Sequence, residues 1–170
     1  MLLLAVHIIN LGMGGELIQY GIIPRDKQHW FGVLTAPFIH ASYSHLLNNI
    51  IGLSVLAGIF LLRSIRQFFT ASVFIIVVGG TLVWAFGRNA VHIGASGWIF
   101  GLWSFLIVAA WFERSLKSFA IAMLVVFLYG GMIYGVLPTR EGVSFESHLF
   151  GALAGIIFSA IVGTKKLGCG

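Results

Sequence analysis

Long apolar stretches dominate the pattern of hydrophobic and polar positions along this chain. Five of them are long enough, or nearly so, to cross the hydrocarbon core of a bilayer, which takes about 20 residues of helix. They cover residues 45–62, 68–86, 95–112, 118–137 and 148–163, and a sixth, shorter stretch covers residues 2–13. The stretches are apolar on every face, whereas the strands of a membrane β-barrel alternate apolar and polar positions. The pattern therefore predicts an all-α membrane protein, a bundle of six transmembrane helices.

The composition supports this prediction. Hydrophobic residues make up 59% of the 170 residues and charged residues 9%, and the mean hydropathy is +1.01. A typical soluble domain carries about 25% charged residues, so a soluble globular domain and a disordered chain are both excluded. We interpret residues 1–170 as a single transmembrane domain, because no linker or repeat interrupts them. The one cysteine, Cys169, excludes an internal disulfide.

The positive charge indicates sidedness rather than a nucleic-acid partner. The net charge is +5, but the ten Lys and Arg residues are scattered without a basic stripe. Six of them lie at alternate ends of the spans (Arg63, Arg66, Arg114, Lys117, Lys165 and Lys166), and four lie at the opposite ends (Arg25, Lys27, Arg88 and Arg140). The positive-inside rule places the first set in the cytoplasm. We expect a multi-pass membrane protein with both termini in the cytoplasm.

The longest stretch outside the spans, residues 14–44, carries aromatic residues and prolines that a solvated loop does not need, among them Trp30 and Phe31. Tryptophan is favoured at the depth of the lipid headgroups. We expect this loop to lie in the membrane interface.

Polar residues at the start of three spans are the strongest chemical signal, because polar groups are costly within a membrane unless they have a function or a partner. These residues are His40, His45, Asn48 and Asn49 at the second span, His92 and Ser96 at the fourth, and Ser147 and His148 at the sixth. The three spans run in the same direction, so their first turns lie at one depth in the outer leaflet. A hydroxyl, an imidazole and hydrogen-bond donors at one depth are the groups that acyl transfer requires.

Glycines favour the close approach of these spans. Gly94 and Gly97 flank Ser96 and permit a tight turn before the helix. Gly97 and Gly101 form a ridge of small residues on the fourth span, and Gly151 and Gly155 form another on the sixth. Two such ridges packed together bring Ser96 near His148.

Three motifs in this order resemble those of the rhomboid intramembrane serine proteases. They are His40-Ala-Ser-Tyr-Ser-His45-Leu-Leu-Asn-Asn49, then Gly94-Ala-Ser96-Gly97 with Phe100, and then His148-Leu-Phe-Gly151-Ala-Leu-Ala-Gly155. The resemblance covers nearly the whole chain and implies a six-helix bundle that cleaves transmembrane segments of other proteins with a Ser–His dyad and no cofactor. A Trp-Arg pair often seen in the family's first loop is replaced around Trp30 and Phe31, which leaves the anchoring of this loop open.

The resemblance also assigns roles to individual residues. It implies that Ser96 is the nucleophile and His148 the general base. His45, Asn49 and the Ser96 amide would form the oxyanion hole, Phe100 would pack on the catalytic imidazole, and His40 would be structural. Lacking an acidic third member, such a dyad is expected to be slower than a full triad.

Other interpretations stay open at this stage. Ser96 alone is compatible with a helix N-cap, and the glycine ridges indicate helix packing whatever the function. A catalytically silent relative that binds transmembrane helices is one alternative, and a small transporter or haem-binding bundle that uses the histidines is another. We expect no metal, because no Cys, Asp or Glu stands near His40 and His45. The fifth span, with Gly130, Gly131 and Gly135, is a candidate substrate gate.

Overall fold

Helices form the frame of the molecule in the computed structural model, which describes residues 1–138 and 142–167. The α-helices of these residues are α1 (Leu2–Gly12), α2 (Gly32–Thr35), α3 (Tyr43–Leu61), α4 (Ile65–Phe86), α5 (Ser96–Glu113), α6 (Leu116–Tyr129) and α7 (Phe145–Leu167). Short 3-10 helices cover Glu16–Tyr20, Ala36–Phe38 and Gly130–Val136, and the last of these continues α6. The predicted all-α architecture is confirmed.

Five helices of the described part are long and apolar enough to cross a membrane: α3, α4, α5, α7 and α6 together with its continuation to Val136. Their bounds lie within a few residues of the predicted spans. Helix α1 has eleven residues, which gives a length of about 16 Å against a hydrocarbon core of about 30 Å. The number of six transmembrane helices therefore stays a prediction.

Serine residues define where three of the spans begin. The hydroxyl oxygens of Ser42, Ser64 and Ser115 accept hydrogen bonds from the third backbone N–H of α3, α4 and α6 respectively. Each serine satisfies one of the N–H groups that the first turn of a helix leaves without a partner. Helix α5 begins differently, after Ala95, which offers no side-chain cap.

Helix α5 occupies the centre of the bundle and is the most buried of the spans. Its closest neighbour is α7. A Cβ atom added at Gly151 would collide with the backbone of Gly97, and one added at Gly155 would collide with that of Gly101. The two glycine ridges therefore face each other, as the sequence predicts, and permit backbone-to-backbone contact between α5 and α7.

The first loop, residues 14–44, packs against the end of α4. The Trp84 indole N–H donates to the Asp26 carbonyl over 2.9 Å, and the Arg25 guanidinium donates to the Gly87 carbonyl over 2.8 Å. Ile22 forms an antiparallel bridge with His92 through two backbone hydrogen bonds of 2.9 Å each. These contacts anchor the loop to the end of α4 and to the segment before α5.

Part of the evidence for sidedness lies outside the described residues. This holds for Arg140 and for the side chains of Lys165 and Lys166, and Cys169 also lies outside the described residues. The orientation of the chain in the membrane stays a prediction.

Candidate active site

The first turns of α3, α5 and α7 open onto one cavity of about 770 Å³. His45 and Asn49 of α3, Ser96 and Phe100 of α5, and His148 of α7 all line it. Residues that are more than 100 positions apart in the sequence therefore line one cavity. The cavity is the place where the predicted chemical groups meet.

Ser96 is the first residue of α5, and the turn before it depends on Gly94. The φ angle of Gly94 is +107°, a conformation that residues with a side chain rarely adopt. A Cβ atom at this position would also lie 2.5 Å from His45 Nε2. The Gly94 N–H donates to the Ala36 carbonyl over 2.9 Å, which fixes the turn to the first loop.

His148 is held by two contacts in the first turn of α7. Its ring lies parallel to that of Phe100, with 4.1 Å between the centroids and an angle of 5° between the planes. Its Nδ1 lies 2.8 Å from the Gly135 carbonyl oxygen. Because a carbonyl can only accept a hydrogen bond, Nδ1 carries the proton and Nε2 is left as the basic nitrogen.

No hydrogen bond joins Ser96 Oγ to His148 within the residues that the structure describes. The two side chains line the same cavity, and the proton on Nδ1 leaves Nε2 able to accept. Catalytic hydrogen bonds in unliganded enzymes are often long and shorten when the substrate binds. The arrangement is thus compatible with a Ser96–His148 pair.

Asn49 and His45 provide polar groups on the α3 side of the cavity. Asn49 is buried, and its side-chain amide donates to the His45 carbonyl over 3.1 Å. An amide has two N–H groups, so Asn49 retains a second donor for a ligand. The N–H of His45 donates to Ser42 Oγ at the helix cap, which fixes the first turn of α3.

His40 lies behind His45, with 4.9 Å between the ring centroids in an edge-to-face arrangement. It is completely buried, and its carbonyl oxygen accepts a hydrogen bond of 3.1 Å from His7 Nδ1 on α1. Burial, together with the neighbouring His45 and His7, lowers the pKa of His40 to about 4. His40 is therefore neutral at pH 7.

A polar network that the sequence did not predict ties α7 to the loop before α5. His92 is buried, with its Nε2 donating to the Arg88 carbonyl over 3.1 Å and its Nδ1 accepting from Ser144 Oγ over 2.6 Å. Ser144 Oγ in turn lies 2.7 Å from Ser147 Oγ. Arg88 adds an ion pair of 3.3 Å with Glu146. These bonds hold the first turn of α7, and with it His148, against the segment that leads to Ser96.

Gly97 supports the same contact, because a Cβ atom there would lie 2.9 Å from the Ser147 carbonyl oxygen.

The role of the Gly135 carbonyl was also not predicted from the sequence, since a backbone acceptor gives no signal in residue type. Among the described residues, no group of three or more His, Cys, Asp or Glu side chains is placed to hold a metal ion.

Fold and cavity together define a polytopic helical membrane protein whose hydroxyl, imidazole and amide groups line one cavity. A family model, the Rhomboid domain, matches residues 27–165. The chain therefore belongs to the rhomboid family. It is 37% identical over 174 residues to an uncharacterised protein of Mycobacterium tuberculosis, a match that covers 97% of this chain and 72% of that protein.

Two further relatives carry rhomboid names. Rhomboid-related protein 1 of Caenorhabditis elegans is 31% identical over 136 residues, which is 74% of this chain and 38% of that protein. A Bacillus subtilis protein, provisionally named as a rhomboid protease, is 25% identical over 146 residues, covering 81% of this chain and 69% of its own length. These matches support a rhomboid-type intramembrane protease.

Proposed function

We propose that this protein is an intramembrane serine endopeptidase that cleaves transmembrane segments of other membrane proteins near the outer leaflet. Ser96 is the nucleophile and His148 the general base, and the reaction passes through an acyl-enzyme. The observation that carries the proposal is the shared cavity, which Ser96, His148, His45 and Asn49 all line.

His148 begins the reaction by taking a proton. With Nδ1 protonated and bonded to the Gly135 carbonyl, Nε2 accepts the Ser96 hydroxyl proton while Oγ attacks the scissile carbonyl carbon. The tetrahedral intermediate collapses when the C–N bond breaks, and the imidazolium gives its proton to the departing amine. The acyl group is then an ester on Ser96.

Water completes the cycle. His148 Nε2 takes a proton from a water molecule in the cavity, and the resulting hydroxide attacks the ester carbonyl. The bond to Ser96 Oγ breaks and the proton returns to the serine. The cavity volume of about 770 Å³ leaves room for both the scissile segment and water.

Donors at the start of two helices stabilise the oxyanion. The Ser96 N–H lies in the first turn of α5, where N–H groups have no partner within the helix and the helix dipole is positive. The second amide N–H of Asn49 and a protonated ring nitrogen of His45 add donors from α3. Preorganised donors of this kind are worth about 2.7–4 kcal/mol each in other serine proteases.

The location follows from the same proposal. Transmembrane proteins are the substrates and the lipid bilayer is the surrounding medium, with neither nucleic acid nor metal taking part. With α1 as a sixth span, both termini are cytoplasmic and the active site lies in the outer leaflet of a bacterial inner membrane. The excess of basic residues at the α3–α4 and α5–α6 ends supports this orientation.

A serine-directed fluorophosphonate probe tests the assignment of the nucleophile. We expect the detergent-purified wild-type protein to be labelled, with no labelling of Ser96→Ala and at least a tenfold loss in His148→Ala. Ser44→Ala is the matched control, because Ser44 lines the same cavity and its loss should leave labelling unchanged. Labelling of Ser96→Ala at the wild-type rate would overturn the assignment.

A further inference from the structure

A second cavity of about 560 Å³ lies at the end of the bundle opposite to Ser96. It is formed where α3 leads into α4 and where α5 leads into α6. Nine of its ten lining residues are polar, and its charged residues are Arg63, Arg66, Lys117 and Glu113. Three cations and one carboxylate leave the lining with a net charge of +2. No step of the proposed protease reaction involves this cavity.

The carboxylate is neutralised within the cavity wall. Arg63 forms a 2.6 Å ion pair with Glu113, and both side chains are less than a tenth exposed. The Ser118 hydroxyl donates to the same carboxylate oxygen. A buried pair with satisfied hydrogen bonds is a fixed part of the structure. The positive charges of Arg66 and Lys117 therefore remain in excess.

Lys117 is already oriented at the edge of the cavity. Its Nζ donates to the Leu62 carbonyl over 2.9 Å, which uses one of the three N–H donors of an ammonium group. Arg66 lies in the first turn of α4 and lines the cavity from the other side. A ligand between the two side chains would meet a cation on either side.

Two helix N-termini add to the positive potential. Helix α4 begins at Ile65 and helix α6 at Leu116, and residues from both first turns line the cavity. The third N–H of each helix already donates to its capping serine, and the positive end of the helix dipole adds to the potential at both termini. Together with the two excess cations, these termini favour an anion that accepts several hydrogen bonds, which is the chemistry of a phosphate group.

The surroundings of the cavity favour a phosphate that belongs to a lipid. The same first turns expose large apolar side chains, Ile65 and Phe69 on α4 and Leu116 and Phe119 on α6. Acyl chains can pack along these residues while the headgroup enters the polar cavity. This end of the bundle is also the cytoplasmic end by the positive-inside rule, and anionic lipids are concentrated in the cytoplasmic leaflet.

We propose that this cavity binds the headgroup phosphate of an anionic membrane lipid, with Arg66 and Lys117 as its main ligands. The site is separate from the proposed protease site. The lipid-binding proposal can therefore be wrong while the proposed protease function is right, and the reverse.

Lipid binding to the full chain tests the proposal directly. Native mass spectrometry in a neutral detergent gives the apparent Kd for added phosphatidylglycerol and phosphatidylcholine. We expect the wild-type protein to prefer phosphatidylglycerol, and the double variant Arg66→Gln/Lys117→Gln to bind it about 30-fold more weakly, because each basic residue near an anionic lipid contributes about 1 kcal/mol. Arg63 and Glu113 are left unchanged to preserve the buried pair.

The control double variant, Lys27→Gln/Arg114→Gln, removes the same charge from exposed residues that do not line the cavity. It should retain the preference for phosphatidylglycerol. Equal binding of phosphatidylglycerol and phosphatidylcholine by the wild type, or an equal loss in both double variants, would overturn the proposal. Binding of inorganic phosphate as tight as that of phosphatidylglycerol would overturn the lipid as the source and leave free phosphate as the ligand.

Discussion

At the residue scale, the Gly135 carbonyl has in the proposed mechanism the orienting role that an aspartate has in a catalytic triad. It accepts the Nδ1 proton of His148 and thereby selects the tautomer whose Nε2 can act as a base. A carbonyl is neutral, so it stabilises an imidazolium less than a carboxylate does. This difference is the physical basis for expecting a slower enzyme than one with a full triad.

Gly135→Ala is expected to lower the rate of substrate cleavage by about 100-fold, the cost of a misplacement of about 1 Å in a catalytic group. The new Cβ atom would lie 2.6 Å from Phe100 Cζ, so the ring that stacks on the His148 imidazole must move. Gly131→Ala is the control, because it lies in the same 3-10 helix with no atom within 4 Å of its added Cβ. Equal rates in the two variants would refute this role of Gly135.

Helix α5 and helix α7 form the central contact at the scale of secondary structure elements. Each carries one of the two proposed dyad residues in its first turn, Ser96 and His148. The glycine ridges bring the two backbones together, and Ser104 Oγ strengthens the contact through a 2.7 Å hydrogen bond to the Ala152 carbonyl. The distance between the proposed nucleophile and base therefore depends on helix packing as well as on side-chain rotamers.

Gly151→Ala should separate these helices and destabilise the protein by about 1–3 kcal/mol, the usual cost of inserting a methyl group into a close-packed contact. The added Cβ atom would lie 2.7 Å from the Gly97 carbonyl carbon. Gly58→Ala on α3, which has no atom within 4 Å, should leave stability equal or slightly higher, since alanine favours helix. Thermal unfolding in detergent measures both, and an unchanged midpoint for Gly151→Ala would contradict the packing argument.

At the scale of the whole molecule, the spans and their convergence were predictable because both follow from simple patterns. Apolar runs define the five long helices, and alternate crossing directions bring the first turns of α3, α5 and α7 to one end. The short α1 is the exception, since a helix of eleven residues does not reach across a bilayer by itself.

The remaining features depend on contacts that residue types do not reveal. The Gly135 carbonyl and the Arg25 bonds to the loop after α4 involve backbone groups whose positions only the folded chain defines. The sequence places His92 at the start of the fourth span but does not reveal that it holds Ser144 at the start of α7. Sequence reasoning named the candidate chemical groups but missed the network that orients them.

Proteolysis of a transmembrane substrate by the reconstituted protein tests the central claim most directly. Wild type and Ser96→Ala are compared in parallel in proteoliposomes, with thermal unfolding used to verify that both are folded. We predict that the wild type cuts the substrate near one end of its transmembrane segment and that Ser96→Ala is at least about 1,000-fold slower. Cleavage by folded Ser96→Ala at the wild-type rate would contradict the account.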